Sequence, residues 1–549
     1  MFVCTECSVH GNKSVTRFIP IWLARAILAF KVHLEAFQLA PSSYMIAVKW
    51  WVLRKQVRAR GHFAILLGRT SRAYELRCLN DGAGQNLPSP PGTPSIIALV
   101  CAGVGTSELE STLASLAAEH IDGYLIGKCP TRDLGQLAAS IDWSLSPWLL
   151  PIVAGDRIAP GSAHHYRAAM EACKNQVIFA DDDRIQLSGH RTKPHFKPDW
   201  NAELHRHHDY LTGACIVRVG RAALTAASKE ADWAAALVAR AVADSGCATH
   251  VRQVLHHRSK RRAPQLPVPA LAIASNLPRI SVIVPTRNRA DLLETCIAGI
   301  AATDYPDLEV IVIDNDSDDV ATIEFLAQLS GRGVRVLRHE GPFNYSAINN
   351  RAVAEATGEL ICLLNNDIEM LAPDWLKIMA TQALRDEVGA VGAQLLYPDG
   401  RIQHAGVVIG VGNAAGHSHR FLRPNDEGYF RRHALPQFTA AVTAACLVVQ
   451  RNRFLAVGGL DEIRFKVAFN DVDLCLKLNA RGWQSLYEPR AVLVHHESVS
   501  RGLDHDPIGA ARFASELAAL QQTWETDRIV DPFHHPHLSR ASEQFVLGL

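Results

Sequence analysis

The most regular pattern of apolar and polar positions lies between Ile280 and Leu364. ISVIVPT (Ile280–Thr286), LEVIVID (Leu308–Asp314) and LICLL (Leu360–Leu364) are continuous apolar runs of strand length, the signature of strands covered on both faces in a parallel sheet. Between them, Asp291 to Ile300 and Ala347 to Ala356 carry helical patterns. Strand, helix and strand at this spacing predict right-handed βαβ units and a doubly wound α/β sheet with helices on both faces. The last run passes straight into Asn365, Asn366 and Asp367. That puts two amides and a carboxylate at the sheet edge where ligands of open α/β folds bind.

A second set of matches precedes this sheet. LLPIVAGDRIAP (Leu149–Pro160) resembles LLNNDIEMLAP (Leu363–Pro373), and LTGACIVR (Leu211–Arg218) resembles VTAACLVVQR (Val442–Arg451). VLHHRSKRR (Val254–Arg262) resembles VLVHHESVSR (Val492–Arg501). Three matches in one order predict an internal duplication. Residues 95–262 are therefore expected to be a diverged copy of a domain at residues 280–502. In the copy Asp156 takes the place of Asp367, and the later acidic motif shrinks to EADW (Glu230–Trp233), so the copy is expected to be catalytically degenerate. FADDDRI (Phe179–Ile185) and KPHFKPDWN (Lys193–Asn201) are read as structural. Residues 263–279 are proline-rich and lack a period, which predicts a linker. Residues 1–94 predict one or two helical segments followed by a Gly-, Pro- and Asn-rich loop from Asn80 to Pro94, and residues 503–549 a helical tail.

Composition narrows the function classes. A chain of 549 residues accommodates two or three domains. Lys and Arg (56) nearly cancel Asp and Glu (55), leaving no overall basic field for nucleic acid. Several of the twelve cysteines, such as Cys362 and Cys475, fall inside apolar patterns, which suggests reduced thiols and a cytoplasmic location. Cys4 and Cys7 lack a second pair at zinc-ribbon spacing. Gly103 and Gly105 lack the third glycine of a dinucleotide fingerprint. No uninterrupted run of about eighteen apolar residues predicts a membrane-spanning helix, and the apolar run from Phe18 to Phe30 is broken by Arg25, unlike a secretory signal. YMIAVKWWVLRKQVRAR (Tyr44–Arg60) sets tryptophans beside Lys49, Arg54, Lys55, Arg58 and Arg60. This suits either peripheral contact with a membrane or a helix packed on its own domain with a solvated basic face.

Carboxylates collect at the edge of the second sheet. Asp314 and Asp316 end one strand and Asp367 follows another, a grouping suited to a hard divalent cation that bridges substrate phosphates. FNDVDLCLKLNARG (Phe469–Gly482) reads as a helix with Asp471 and Asp473 in its first turn and Gly482 as its C′ residue. A carboxylate there either caps the helix or, facing a pocket, takes a proton from a hydroxyl. LVHHESVSRG (Leu493–Gly502) sets His495 and His496 at the end of a further strand, where either could complete a metal site. The Gly- and His-rich stretch GVGNAAGHSHRF (Gly410–Phe421) is a candidate mobile lid.

PTRNR (Pro285–Arg289), IDNDSDD (Ile313–Asp319), LLNND, GGLDE (Gly458–Glu462), NDVDLCLK (Asn470–Lys477) and HHESVSRG occur together and in order. This set resembles the family-2 glycosyltransferases of GT-A fold, especially bacterial enzymes of O-antigen and other surface polysaccharides, rhamnosyltransferases among them. The resemblance implies that Pro285 and Thr286 line the nucleotide pocket, that Asp314 hydrogen-bonds the base, and that Arg287, Asp316, Asn350 and Asn366 complete the nucleotide-sugar set. It further implies Asp367, with His495 or His496, as ligands of a divalent metal, Mg²⁺ or Mn²⁺, and Asp471 as the base of a single inverting displacement. The donor would be a nucleotide-diphosphate sugar and the acceptor a glycan, lipid-linked, at the cytoplasmic face of the plasma membrane. Two positions depart from the family's pattern: Asn470 stands where a glutamate is usual, and Asn365 where many members carry a leading aspartate. A non-catalytic scaffold that binds nucleotide sugar or glycan is the alternative. Nucleotidyl transfer would need a glycine-rich loop after the first strand, and PTRNRAD has none.

Overall fold

The computed structural model describes residues 2–4, 18–81, 95–102, 106–186, 189–496 and 507–549. Cys7, Gly103, Gly105, most of the loop expected at Asn80–Pro94 and the motif residues after His496 lie outside the described residues. Four helices, where one or two segments were expected, open the chain: α1 (Ile21–Leu39), α2 (Pro41–Val52), α3 (Gln56–Gly68) and α4 (Ala73–Asp81). The first break falls at Pro41, whose missing N–H cannot continue the α1 ladder but suits the first position of α2. The second falls at Arg54, which adopts φ 55°.

Two α/β domains follow. The first sheet contains β1 (Ile96–Cys101), β2 (Asp122–Ile126), β3 (Trp148–Val153), β4 (Arg157–Ile158), β5 (Val177–Ile185), β6 (Cys215–Val217) and β7 (Thr249–Arg258) in the spatial order β2-β1-β3-β6-β5-β7-β4. The second contains β8 (Ile280–Thr286), β9 (Leu308–Asp314), β10 (Arg335–Arg338), β11 (Leu360–Leu364), β12 (Ile368–Met370), β13 (Val388–Leu396), β16 (Cys446–Gln450) and β17 (Gln484–His495), with the hairpin β14 (Val407–Ile409) and β15 (Ala415–His417) beside it. Its order is β10-β9-β8-β11-β16-β13-β17-β12. With the edge strand β10 set aside, the two orders are identical. Each pair also keeps its direction: β3–β6 and β11–β16 are antiparallel, and β5–β7 and β13–β17 are parallel. The sheets are thus mixed, with a parallel half built from the βαβ units read in the sequence.

Burial explains the apolar runs. Val282, Val284, Leu360, Cys362 and Leu364 point into one core layer, whereas Ile283, Ile361 and Leu363 point into the other. With both faces covered, β11 carries no polar residue, and the polar residues inside β8 and β9, Ser281 and Glu309, bond each other. After the second sheet come a helix, Pro507–Trp524, and an irregular segment from Glu525 to Leu549, so the expected helical tail is helical only in its first part. The irregular part ties the molecule together. Pro532 accepts the N–H of Asp199 from the first domain at 2.8 Å, Asp531 accepts that of Ile409 from the second at 2.7 Å, and Gln544 accepts from Arg69 at the end of α3.

The corresponding edge of the first domain is sealed. Asp156 accepts the N–H and hydroxyl of Ser259 and faces Arg258, and His256 is held by the Tyr166 hydroxyl at 2.7 Å. Asp182 pairs with the fully buried Lys197 at 2.9 Å and with Arg261. Burial alone would raise the Asp182 carboxyl, but Lys197, Arg261 and Arg258 outweigh it and hold the group well below the usual range. Side-chain cations therefore fill the place where the other domain keeps an open cleft.

The ten cysteines from Cys78 to Cys475 are free thiols. Buried histidines make the stability depend on pH. Burial lowers His256, His404 and His534 to about 3 and His208 to about 4. An unfolded imidazole takes its proton near pH 6.5, so each group stabilises the fold fully above about pH 6.5 and loses that contribution as the pH falls toward its folded value. At pH 5 each costs about 2 kcal/mol relative to pH 8. Asp531, which burial raises to about 6, and His250, raised by its carboxylate partners against its burial, work in the opposite direction. The four histidines outweigh these two, so thermal scans should give a melting temperature that falls steeply between pH 7 and pH 5, before most carboxylates titrate.

Candidate active site

The carboxyl edge of the second sheet opens into two adjoining chambers. The larger, of about 520 Å³, is bounded by Pro285 and Thr286 at the end of β8, by Arg287, Asn288 and Arg289 after it, by Asn315 after β9, and by Asn365, Asn366 and Asp367 after β11. The smaller, of about 170 Å³, is lined by Gln403, His417, Thr443, Asn470, Asp471 and His495 among others. Tyr345 and Asn365 border both. Tyr345 begins helix α5 (Tyr345–Glu355), capped by Asn344, and its hydroxyl donates to Ala444 O at 3.0 Å and lies 3.3 Å from Asn365 Oδ1.

Local geometry sets each side chain. The turn after β8 carries Asn288 and Arg289 at positive φ, and the Asn288 side chain accepts the N–H groups of Asp318 and Asp319. Asn366 donates to Thr286 Oγ1 at 3.0 Å, linking the ends of β11 and β8. β12 pairs antiparallel with the end of β17 so that Ile368 lies opposite His495. This brings His495 Nε2 to 3.1 Å from Asp367 Oδ1, while His495 Nδ1 is held by Gln403 Oε1 at 2.6 Å. His496 points the other way and pairs with Glu369 near the surface. The two histidines left open by the sequence are thus separated by their side of the strand.

Helix α6 (Asn470–Ala480) starts after Phe469 at φ 62°, and Asp471 in its first turn accepts the N–H of Ala444 at 3.0 Å while bordering the smaller chamber. Asp473 is buried instead, paired with Lys477 and accepting from Trp524. Burial, followed by the neighbouring His417, lowers His404 to about 3, and burial, followed by Arg420, lowers His417 to about 4. Both are neutral imidazoles at neutral pH.

Not every expected residue reaches the cleft. Asp316 is exposed and paired with Arg338 at 2.6 Å, outside the lining. Asp314 is buried and accepts the N–H of Ser317, and the neighbouring Asn315 borders the chamber in its place. Asn350 turns toward residues 460–462, bonding both Leu460 N and Leu460 O, so it shapes the loop before α6 rather than the pocket. The expected lid is folded and clamped. β14 and β15 pair as a hairpin, Glu543 accepts the N–H groups of His417 and His419, and His419 stacks on Phe545. A loop bonded this way is a wall, and His417 is its contribution to the smaller chamber.

No local sequence pattern marks Tyr345, Gln403 or Arg512 as site residues. Gln403 sits in a stretch without a recognisable motif. Arg512 lies on α7 (Pro507–Trp524), beyond the last motif, yet borders the larger chamber. Along the same helix the buried Glu516 accepts the N–H groups of Val467 and Ala468, at 3.0 and 2.8 Å, in the turn that delivers Asp471.

Among the described residues, two clusters have the residue types of a metal site. Asp367 and His495 fit a divalent ion: Gln403 takes the Nδ1–H of His495, leaving Nε2 to face the carboxylate, and Asn365 and Asn366 lie alongside. This is the orientation that a second-sphere acceptor imposes on a ligating histidine. Asp181, His250 and His535 also converge, at the joint between the first domain and the C-terminal segment. There the His537 N–H donates to His535 Nδ1, which fixes the His535 proton on Nε2, the atom facing Asp181. His250 lies 3.0 Å from Asp181 on one side and 3.0 Å from Asp199 on the other, as an imidazolium between two carboxylates. That cluster reads as a proton-sharing joint. Replacing Glu516 with Ala should leave the Val467 and Ala468 N–H groups without their acceptor, at about 1–3 kcal/mol for each that stays buried. Hydrogen exchange at these two amides should then outpace exchange in the sheet.

Residues 281–447 match the family described as Glycosyl transferase family 2. An uncharacterized protein, y4gI, of Sinorhizobium fredii is 40% identical over 419 residues, covering 68% of this chain and 46% of its own. The O-antigen biosynthesis protein RfbC of Myxococcus xanthus is 34% identical over 406 residues, covering 66% of this chain and 31% of its own. The N-acetylglucosaminyl-diphospho-decaprenol L-rhamnosyltransferase of Mycobacterium tuberculosis is 28% identical over 246 residues, covering 41% of this chain and 78% of its own. The chain spans less than half the length of the first two relatives. With the motifs in order at one sheet edge and the family match across that sheet, the second α/β domain of this chain is a glycosyl transferase family 2 domain.

Proposed function

We propose that the second domain transfers a sugar from a nucleotide-diphosphate sugar to a glycan acceptor in bacterial surface-polysaccharide biosynthesis, with inversion at the anomeric carbon. The observation that carries this reading is the meeting of two chambers at Tyr345 and Asn365, with Asp367 bordering one and Asp471 the other. The larger chamber suits the nucleoside diphosphate, since Arg287, Arg289 and Arg512 border it. Asp367 and His495 would hold a divalent cation, Mg²⁺ or Mn²⁺, whose chemistry is to offset the charge that develops on the departing diphosphate. The acceptor hydroxyl enters the smaller chamber beside Asp471. Its oxygen bonds to the anomeric carbon, the bond from that carbon to the diphosphate oxygen breaks with its electron pair, and Asp471 takes the hydroxyl proton.

A lipid-linked acceptor is the reading favoured by the rhamnosyltransferase relative, whose name gives a diphospho-decaprenol acceptor. The enzyme would then work at the cytoplasmic face of the plasma membrane. The first domain, with its edge sealed by Lys197, Arg258 and Arg261, serves in this scheme as a scaffold.

The test is donor turnover with a panel of UDP-, GDP- and dTDP-sugars, with Mg²⁺, Mn²⁺ or chelator. One donor should be hydrolysed slowly in a metal-dependent way, and Asp367→Ala should abolish this. Asp471→Asn should lower transfer to an added acceptor by about 10²–10⁴-fold with the donor KM little changed. Binding of a donor without turnover under every condition would instead support a scaffold. His495→Ala should raise the metal concentration for half-maximal turnover by about tenfold or more, whereas His496→Ala should leave it unchanged.

A further inference from the structure

The N-terminal helices carry an apolar stripe that stays exposed among the described residues. On α1, Leu28, Val32 and Ala36 are buried. Leu23, Ile27, Phe30, Leu34 and Phe37 recur at spacings of four, three, four and three, which sets them on the opposite side of the helix. All five are exposed, Phe30 at 68%. At ~1.5 Å per residue the stripe is about 21 Å long. Trp22 at its start and Trp51 at the end of α2 are 67% and 66% exposed. Thirteen of the 30 exposed large apolar side chains among the described residues fall between Trp22 and Val57. That concentration is a patch, not the scatter of single apolar residues normal on a protein surface.

Charge identifies what the patch meets. Residues 20–68 hold seven Lys and Arg against one acid, Glu35, in a chain of net charge +1. Glu35 accepts the Ser71 N–H and pairs with Arg72, so it is engaged within the helical segment. Lys49, Arg54, Lys55, Arg58 and Arg60 are exposed, and Arg58 lies 4.9 Å from the Trp50 ring centre. No helix among the described residues is long and apolar enough to cross a membrane. We propose that α1 to α3 form a lipid-docking face: the apolar stripe and tryptophans enter the boundary between headgroups and acyl chains, and the cations meet anionic headgroups. The proposal deepens the lipid-linked-acceptor reading by locating the surface that would hold the enzyme at its acceptor, although the exposure and charge that carry it are independent of the chemistry.

The test is co-sedimentation of the full chain with phosphatidylcholine vesicles that contain phosphatidylglycerol, against phosphatidylcholine alone and at low and high salt. Binding to the anionic vesicles should be at least about tenfold tighter than to neutral ones and should weaken with salt. The double variant Phe30→Ser/Phe37→Ser and the triple variant Arg54→Ser/Lys55→Ser/Arg58→Ser should each lose at least about tenfold in binding. Because the altered side chains are exposed, circular dichroism and the melting temperature should not change. Wild-type protein that ignores anionic vesicles would overturn the proposal. So would a wild-type dimer in light scattering that Phe30→Ser/Phe37→Ser turns to monomer without lipid. Donor hydrolysis measured without vesicles separates the two readings: it should persist in both variants, and its absence from the wild type would count against the transferase reading alone.

Discussion

The candidate site depends on the register of one short antiparallel pairing. β12 is three residues long, and it lies against the end of β17 with Ile368 opposite His495. Side chains alternate across a strand, so a slip of one residue would turn His495 outward and bring His496 to Asp367. Apolar burial fixes the choice. Ile368 and Leu493 belong to the core layer beneath the sheet, and exchanging faces would expose them. The hydrophobic pattern therefore positions the polar chemistry without any polar residue having to specify it. Gln403 then holds the far side of the His495 ring.

The first domain keeps the same arrangement with a different content. Ile158 lies opposite His256 just as Ile368 lies opposite His495. Asp156 stands in the place of Asp367 and Asp182 is an added carboxylate on the strand equivalent to β13, and Arg258, Lys197 and Arg261 neutralise both from within. A buried ion-pair network of this kind gives little net stability over an apolar core, yet removing one partner is costly. Once the cations were in place, the edge would have been hard to reopen one substitution at a time.

The sheets and their duplication were legible because continuous apolar runs and repeated strand-end motifs are local signals. The single carboxylates at strand ends were legible as a group and less so one by one. Asp314, Asp316 and Asn350 look alike in sequence as polar residues near an edge, but a positive φ at Asp316 turns it to solvent and the loop at Leu460 captures Asn350. The Gly410–Phe421 stretch reads as flexible because glycine and histidine carry no packing signal. Its rigidity comes from Glu543 and Phe545, more than a hundred residues away in the chain. Arg512 and Glu516 went unnoticed for the same reason: their meaning depends on where α7 lands, which no local pattern states.

The return of α7 and the following segment to the site separates two boundaries that are easily equated. The stretch by which the family is recognised ends at residue 447, before Asp471, His495 and Arg512, and before the segment that bonds Asp199 in one domain and Ile409 in the other. The stretch that carries the family match is therefore shorter than the set of elements that builds the candidate site. Any exchange of domains between proteins of this architecture would have to move the distal helix and the closing segment together with the sheet, or leave behind a cleft without Arg512 and a turn before Asp471 without the Glu516 carboxylate that holds it.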